Sequence, residues 1–262
     1  MFKNNIINKI KEIRIRDKFR RSKSYNLFWG KVVYIKNKLF DKYDLYVVGM
    51  PKSGSEFFYH VIYDIIKKID EDIRIINIVG GGKQHLIYDK TIGLNKRRQV
   101  FGIYRDLRDV VVSAYFYAIG QGKIHHLYDS VKDLDFSEAI DKLIVHEKSM
   151  LRYNKWFLDY YNKEYVNLVK FEDITSGNNE IIFKNLFKNI GIDVPSEIIK
   201  ESLEKNSFNK LKKKDPVHYK DGKKEKYKKY LSEKQINKIT KEFHKYFELT
   251  GYKIWGRSGK KI

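Results

Sequence analysis

The sequence predicts an α/β fold of three layers, with helices on both faces of a central parallel sheet. Three observations point there. Apolar runs of strand length recur along the chain: DLYVVG, IRIINIVG, RQVFGIYR and YVNLVKFED. Helical patterns fill the intervals, and strands that alternate with helices pair in parallel through crossover connections. At 262 residues, with 42% hydrophobic and 15% aromatic content, the chain is large enough for one α/β domain with an ample core.

Each element can be justified in order. Residues 1–40 are basic, and IINKIKEIRIRDKF sets Ile6, Ile10 and Ile13 near helical spacing. This reads as a helical extension, either packed on the domain or lying on an anionic membrane surface. Residues 41–262 are expected to form a single domain. DLYVVG is a buried strand, followed by a loop to Gly54 and a helix from about Ser55 to Lys68. IRIINIVG is a second strand, ending in the turn Gly80–Gly81–Gly82. RQVFGIYR is a third, running into a helix, DLRDVVVSAYFYAIG, closed by Gly120. A long helix is expected from about Phe136 to Tyr161, with Ile140, Leu143, Ile144, Leu151 and Trp156 on its apolar face. Asp135 and Glu138 have the spacing of a capping box at its start. YVNLVKFED is the fourth strand, and the remainder is helical and lysine-rich. There is no internal repeat and no clear linker.

Composition limits the function classes. Fifty-four Lys+Arg against 33 Asp+Glu leave a net charge of +21, a field that attracts nucleotides, nucleic acid, acidic glycans or anionic lipid. The richness in Lys, Ile, Asn and Tyr offers compositional drift as a second reading of that charge. The chain has no cysteine, which excludes disulfides and thiolate metal sites and fits a reducing, cytoplasmic setting. No apolar run approaches the roughly 18 residues of a membrane span, and the N-terminus lacks a signal-peptide apolar core.

The first motif is LYVVGMPKSGSEFF, residues 45–58. A strand, a tight turn and a helix start direct successive backbone N–H groups at one point, which suits an oxyanion. Gly49 and Gly54 have the spacing of the phosphate loop G-x-x-x-x-G-K-[ST], but the lysine is Lys52, inside the loop. Glu56 occupies the place of the Mg²⁺-binding hydroxyl, where a carboxylate would repel a triphosphate. The second motif is YRDLRDVVVSAYF, residues 104–116. Arg105 ends a strand and Ser113 follows eight residues later in a helix. The two could converge on one phosphate, since the planar guanidinium gives two parallel hydrogen bonds. Alternatively, Arg105 pairs with Asp109 at the surface and Ser113 has no special role.

PKSGS resembles the PKSGT loop of sulfotransferases, the enzymes that use 3′-phosphoadenosine 5′-phosphosulfate (PAPS) and release 3′,5′-diphosphoadenosine (PAP). YRDLRDVVVSAYF is similar to the family's 3′-phosphate motif, with Arg105 and Ser113 at its two phosphate positions. The resemblance runs from about residue 44 to 251 and implies a sulfotransferase fold of the P-loop NTPase type. It implies that Pro51, Lys52, Ser53, Gly54, Ser55, Glu56 and Phe57 surround the 5′-phosphosulfate, with Lys52 at the bridging oxygen. Glu56 and Phe57 replace the family's usual Thr and Trp, and Phe57 would keep an aromatic surface for adenine.

KQHL resembles the family's KTHL, which makes His85 the catalytic base and Lys83 its assisting lysine. VKFEDI puts Phe171 where a tyrosine usually meets the adenine. NSFNKLKK implies Asn206 and Phe208 near the base. HYKDGKKEKYKKYLS resembles the segment that covers the cofactor: Lys220 and Gly222 match its first Arg and Gly, and Asp221 departs from it. His125 and His126, in the loop GQGKIHHLYD, read as a surface loop or as part of the acceptor pocket.

The reaction so implied is transfer of the sulfuryl group from PAPS, as co-substrate and without a metal, to a hydroxyl or amine. The acceptor is a small molecule, a glycan or a lipid. Two alternatives stay open. A P-loop type small-molecule or nucleoside kinase would prefer ATP–Mg²⁺ to PAP. A basic, non-enzymatic nucleic-acid binder is motivated by +21, but no recognised nucleic-acid motif supports it. The family's C-terminal dimerisation motif is not visible in KQINKITKEFHKYFE.

Overall fold

The computed structural model describes residues 44–69, 74–77, 98–161, 163–214 and 223–254. The expected N-terminal extension, residues 1–40, lies outside them. Among the described residues, four strands form one sheet: β1 (Asp44–Gly49), β2 (Arg74–Asn77), β3 (Arg98–Tyr104) and β4 (Val166–Lys170). Their order is β2-β1-β3-β4, and every pair is parallel.

The pleat divides the core in two. Alternate side chains of a strand point to opposite faces. Leu45, Val47, Phe101 and Ile103 enter one cluster with α1 (Ser55–Ile69), α7 (Asn179–Lys188) and α8 (Ser196–Lys205). Val48 and Val100 enter the other. Its helices are α2 (Leu107–Gln121), α4 (Phe136–Val145), α5 (Met150–Tyr160), α11 (Glu233–Glu242) and α12 (His244–Thr250). Helices on both faces of a parallel sheet make the predicted three layers. The short helices α3 (Tyr128–Val131), α6 (Phe171–Ile174), α9 (Phe208–Lys214) and α10 (Tyr227–Tyr230) complete the described chain.

Two local expectations need correction. The helix after β3 ends at Gln121, not Gly120. Gly122 caps it at φ 59°, and its N–H donates to the carbonyls of Ala118 and Ile119. The long helix 136–161 is two helices, α4 and α5. His146 ends α4 in an extended conformation, and its Nδ1 accepts from the Lys148 N–H at 3.1 Å. That local side-chain bond competes with continuation of the helix. Leu151 consequently sits 38% exposed, while Ile140, Leu143, Ile144 and Trp156 are buried as expected. The capping box of Asp135 and Glu138 is formed in full.

The crossovers leave the sheet on opposite faces. β1 passes through α1 to β2 on one side. β3 passes through α2 to α5 to β4 on the other. Between β1 and β3 the winding therefore reverses, and the carboxyl ends of those two strands flank a crevice of the kind where open α/β sheets hold ligands.

Candidate active site

Both sequence motifs leave the sheet at that crevice. Gly49 of β1 stands opposite Ile103 of β3, two residues before Arg105. The Met50 N–H donates to the Ile103 carbonyl at 3.0 Å, so the loop starts anchored to β3. Ser53 then folds the loop on itself. Its N–H donates to the Met50 carbonyl at 3.1 Å, and its hydroxyl donates to the carbonyls of Met50 (2.5 Å) and Ile103 (3.2 Å). Ser53 is fully buried, so both its donors serve the loop and not a ligand. Pro51 is buried in the same turn.

Glycine is required twice here. A Cβ at Gly49 would lie 2.2 Å from the Ser55 Cβ. Gly54 has φ +80°, and a Cβ there would lie 2.6 Å from the Phe171 ring. These constraints bring the first turn of α1, beginning at buried Ser55, up against the loop. A helix N-terminus placed against such a loop suits an anion.

Lys52 is one of two described non-glycine residues with positive φ, at 64°. Its ammonium lies over the ring of Tyr117, 3.3 Å from the centroid. Tyr117 is one helical turn beyond Ser113 in α2, so Ser113 and Tyr117 share a helix face. The half-buried Ser113 therefore belongs to the side of α2 that meets the loop.

Arg105 is nine-tenths buried and closely surrounded. It donates to the Asp109 carboxylate at 3.3 Å and to the Lys223 carbonyl at 2.7 Å. Its guanidinium stacks over Phe171, 4.4 Å from the centroid. The Phe171 ring thus touches both motifs, closing on Gly54 on one side and on Arg105 on the other. The buried Arg105 Nε has no hydrogen-bond partner among the described residues. A buried N–H of this kind costs free energy unless a ligand completes it, and a phosphate oxygen suits it. The residues present fit a phosphate-bearing ligand.

Glu56 lies in the first turn of α1, 3.9 Å from His60 Nε2. Burial pushes its carboxyl above the usual carboxylate range. Asp109 is pushed up as well, because burial outweighs the attraction of Arg105 and the hydrogen bond from the Tyr227 N–H.

Three expected nucleotide contacts have other roles in the fold. Phe57 is 4% exposed and packs in the α1-side core. Phe171 is 1% exposed and forms the floor beneath the two motifs. Asn206 donates to the carbonyls of Ser202 (2.8 Å) and His60 (3.5 Å), tying the end of α8 to α1. Phe208 begins α9. Lys83, His85, Lys220, Asp221 and Gly222 lie outside the described residues.

The sulfotransferase domain family model matches residues 82–251, more than half of the chain. The chain belongs to the sulfotransferase domain family. The match begins after the turn between β1 and α1, so it does not include Pro51 to Phe57. No curated protein matches the chain. Among solved structures it is similar to mouse sulfotransferase SULT7A1 complexed with PAP, at 17% identity and a TM-score of 0.62, covering 80% of this chain and 85% of that one. It is also similar to retinol dehydratase, at 12% identity and a TM-score of 0.60 in each of two structures. One is in complex with androsterone and the inactive cofactor PAP, covering 82% of this chain and 85% of that one. The other holds retinol and PAP, covering 82% and 86%. At these identities the likeness shows the sulfotransferase fold.

Other residues around this crevice are not evident from the motifs alone. Arg108 is 2% exposed, donates to Asp106 and to the Lys253 carbonyl, and lies between the rings of Tyr227 and Phe247. With the Tyr227 N–H bonded to Asp109 at 2.8 Å, it locks the chain after residue 223 onto the start of α2. Glu172, pushed up by burial, accepts from Tyr252 at 2.5 Å and from the Asp106 N–H. His125 stands edge-on to Tyr117, 5.2 Å between centroids, and so lies one ring away from Lys52. The Ser113–Tyr117 spacing in α2 is the sequence signal that could have linked Tyr117 to the loop. No described helix is long and apolar enough to cross a membrane.

Proposed function

We propose that this chain transfers the sulfuryl group of PAPS to a hydroxyl or amine of an acceptor and releases PAP. The observation that carries the reading is the placement of Phe171 against both Gly54 and Arg105, which joins the anion loop and the strand-end arginine at one crevice. Family membership supports the same chemistry. PAPS supplies a sulfuryl group on a phosphate oxygen: that S–O bond breaks, and an S–O bond to the acceptor forms.

The chain's own residues position and neutralise. The α1 N-terminus and the backbone after Gly54 hold the 5′-phosphate side. Lys52 stabilises charge on the bridging oxygen as it leaves. Arg105, through its free Nε–H, and Ser113 hold the 3′-phosphate and set the donor's register. His85 takes the acceptor proton; a histidine of ordinary pKa, about 6.5, suits a base near neutrality. Lys83 assists at the transferring group. Residues 41–262 act as one domain, with 1–40 as a basic extension. The androsterone and retinol held by retinol dehydratase support a small molecule, among the small-molecule, glycan and lipid acceptors, as the first class to try.

Two measurements test this. Calorimetry should give tight binding of PAP and weak binding of ATP–Mg²⁺. ³⁵S-PAPS incubated with phenols, steroids, alcohols, amines and glycans should label at least one class. Tight ATP binding without PAP binding overturns the reading.

A further inference from the structure

We infer that Tyr117 is a positioning residue for Lys52, fixing the lysine against the helix that carries Ser113. The inference rests on the proposed role of Lys52 in sulfuryl transfer. Lys52 leaves the loop from a left-handed backbone, and its ammonium sits 3.3 Å from the Tyr117 centroid, in contact with the ring face. The quadrupole of the ring attracts a cation there. A lysine otherwise has a long, flexible stem, and ordering it costs rotamer entropy. The ring holds the ammonium before the donor arrives.

Tyr117 is held in turn. Its ring meets the edge of His125 at an interplanar angle of 82°. His125 Nδ1 accepts from the Leu127 N–H at 3.3 Å, and Leu127 is fully buried in the α2-side core. That bond leaves the ring proton on Nε2, so a neutral ring backs Tyr117 without adding a second cation beside Lys52. The path from core to ammonium is therefore Leu127, His125, Tyr117, Lys52. Since Tyr117 and Ser113 share one face of α2, the same helix sets the lysine and the 3′-phosphate hydroxyl. The distance between the transferring end and the anchoring end of the donor is then fixed by one rigid element, and small misplacements of such groups are costly to the rate.

The test separates this inference from the role it rests on. Tyr117→Leu should lower kcat about tenfold, while the KM for PAPS and the affinity for PAP stay within about twofold. Tyr117→Phe keeps the ring face and should recover kcat to within about threefold of the unaltered protein. Lys52→Ala is measured beside them. If Lys52→Ala keeps full kcat, the transfer role of Lys52 fails, and this inference with it. If Lys52→Ala loses activity and Tyr117→Leu does not, the positioning role alone fails. A second readout needs no Tyr117 variant. In the unaltered protein with ¹³C-labelled lysine, protons over an aromatic face give an upfield-shifted ε-methylene signal, and Lys52→Arg should remove it. Absence of that signal overturns the inference, whether or not Tyr117→Leu folds.

Discussion

Arg105 donates a 2.7 Å hydrogen bond to the main-chain carbonyl of Lys223, 118 positions further along the chain. The end of β3 is thereby joined to HYKDGKKEKYKKYLS, residues 218–232, the stretch whose sequence resembles the family's cofactor cover. Arg105 has three commitments: Asp109, the Lys223 carbonyl and the Phe171 face. Its buried Nε has no hydrogen-bond partner among the described residues. An arginine with this much support is preorganised, so little ordering would have to accompany capture of a ligand.

Removing that arginine should therefore affect the donor more than the chemistry. Arg105→Ala is expected to weaken PAP binding about 10- to 100-fold, since hydrogen bonds to charged groups are worth about 1.5–3 kcal/mol. Arg105→Lys should recover only part, because an ammonium lacks the planar fork. Titration calorimetry with PAP reads both. Equal affinities for all three proteins would remove Arg105 from the nucleotide site.

Glu56 predicts an effect of opposite sign. A carboxylate in the first turn of α1 favours the helix by about 0.3–1 kcal/mol, yet it opposes an anion at the same N-terminus. Burial holds its pKa above 4.5 in the folded protein. Folded chains therefore keep a proton that unfolded chains release as pH rises past that value, and the folded state loses stability across that interval. Glu56→Gln should bind PAP several-fold more tightly near neutrality, with a melting temperature changed by only a few degrees. It should also bind with less pH dependence on the acid side. Weaker PAP binding by Glu56→Gln would mean that the carboxyl contacts the ligand favourably.

The sheet and both motif positions were legible because they rest on local pattern: apolar runs, a Gly-to-Gly spacing, and an arginine eight residues before a serine. Less legible was what packs behind a motif. Phe57 and Phe171 read as adenine surfaces, yet each is core, since an aromatic side chain gains more from full burial than from a half-wet face. Ser53 reads as a phosphate ligand, yet its hydroxyl bonds inward because a buried loop must satisfy its own carbonyls. The break between α4 and α5 hinges on one His146 side-chain bond, which periodicity does not encode. Tyr117 meets Lys52, and His125 meets Tyr117, only in three dimensions.

The packing of Phe171 on Gly54 gives a stability prediction. Gly54→Ala combines a strained positive φ, about 1 kcal/mol, with a methyl 2.6 Å from a ring carbon, about 1–3 kcal/mol. Urea unfolding should show a loss of about 2–4 kcal/mol in total. Adding Phe171→Leu should relieve the steric part and leave the backbone part, so the two losses should be less than additive. Strict additivity would show that the ring and the loop do not share that space.

His125 predicts how stability responds to acid. In the unfolded chain it binds a proton near pH 6.5; in the folded protein burial, then His126 and Lys52, push it down to about 4. Between those values the unfolded chain holds a proton that the folded protein rejects. Stability attributable to His125 is therefore complete above about pH 6.5 and is lost as pH falls toward 4. The ring is partly open to solvent, which reduces the effect to on the order of 1 kcal/mol. His125→Gln cannot charge and should keep its urea midpoint better than the unaltered protein between pH 7.5 and pH 5. His126 shifts in the same direction, so His126→Gln is the control, with a smaller gain expected from its more exposed ring. Parallel midpoint curves for the unaltered protein and His125→Gln would show that His125 charges freely beside Lys52, and that the ring behind Tyr117 is not held neutral.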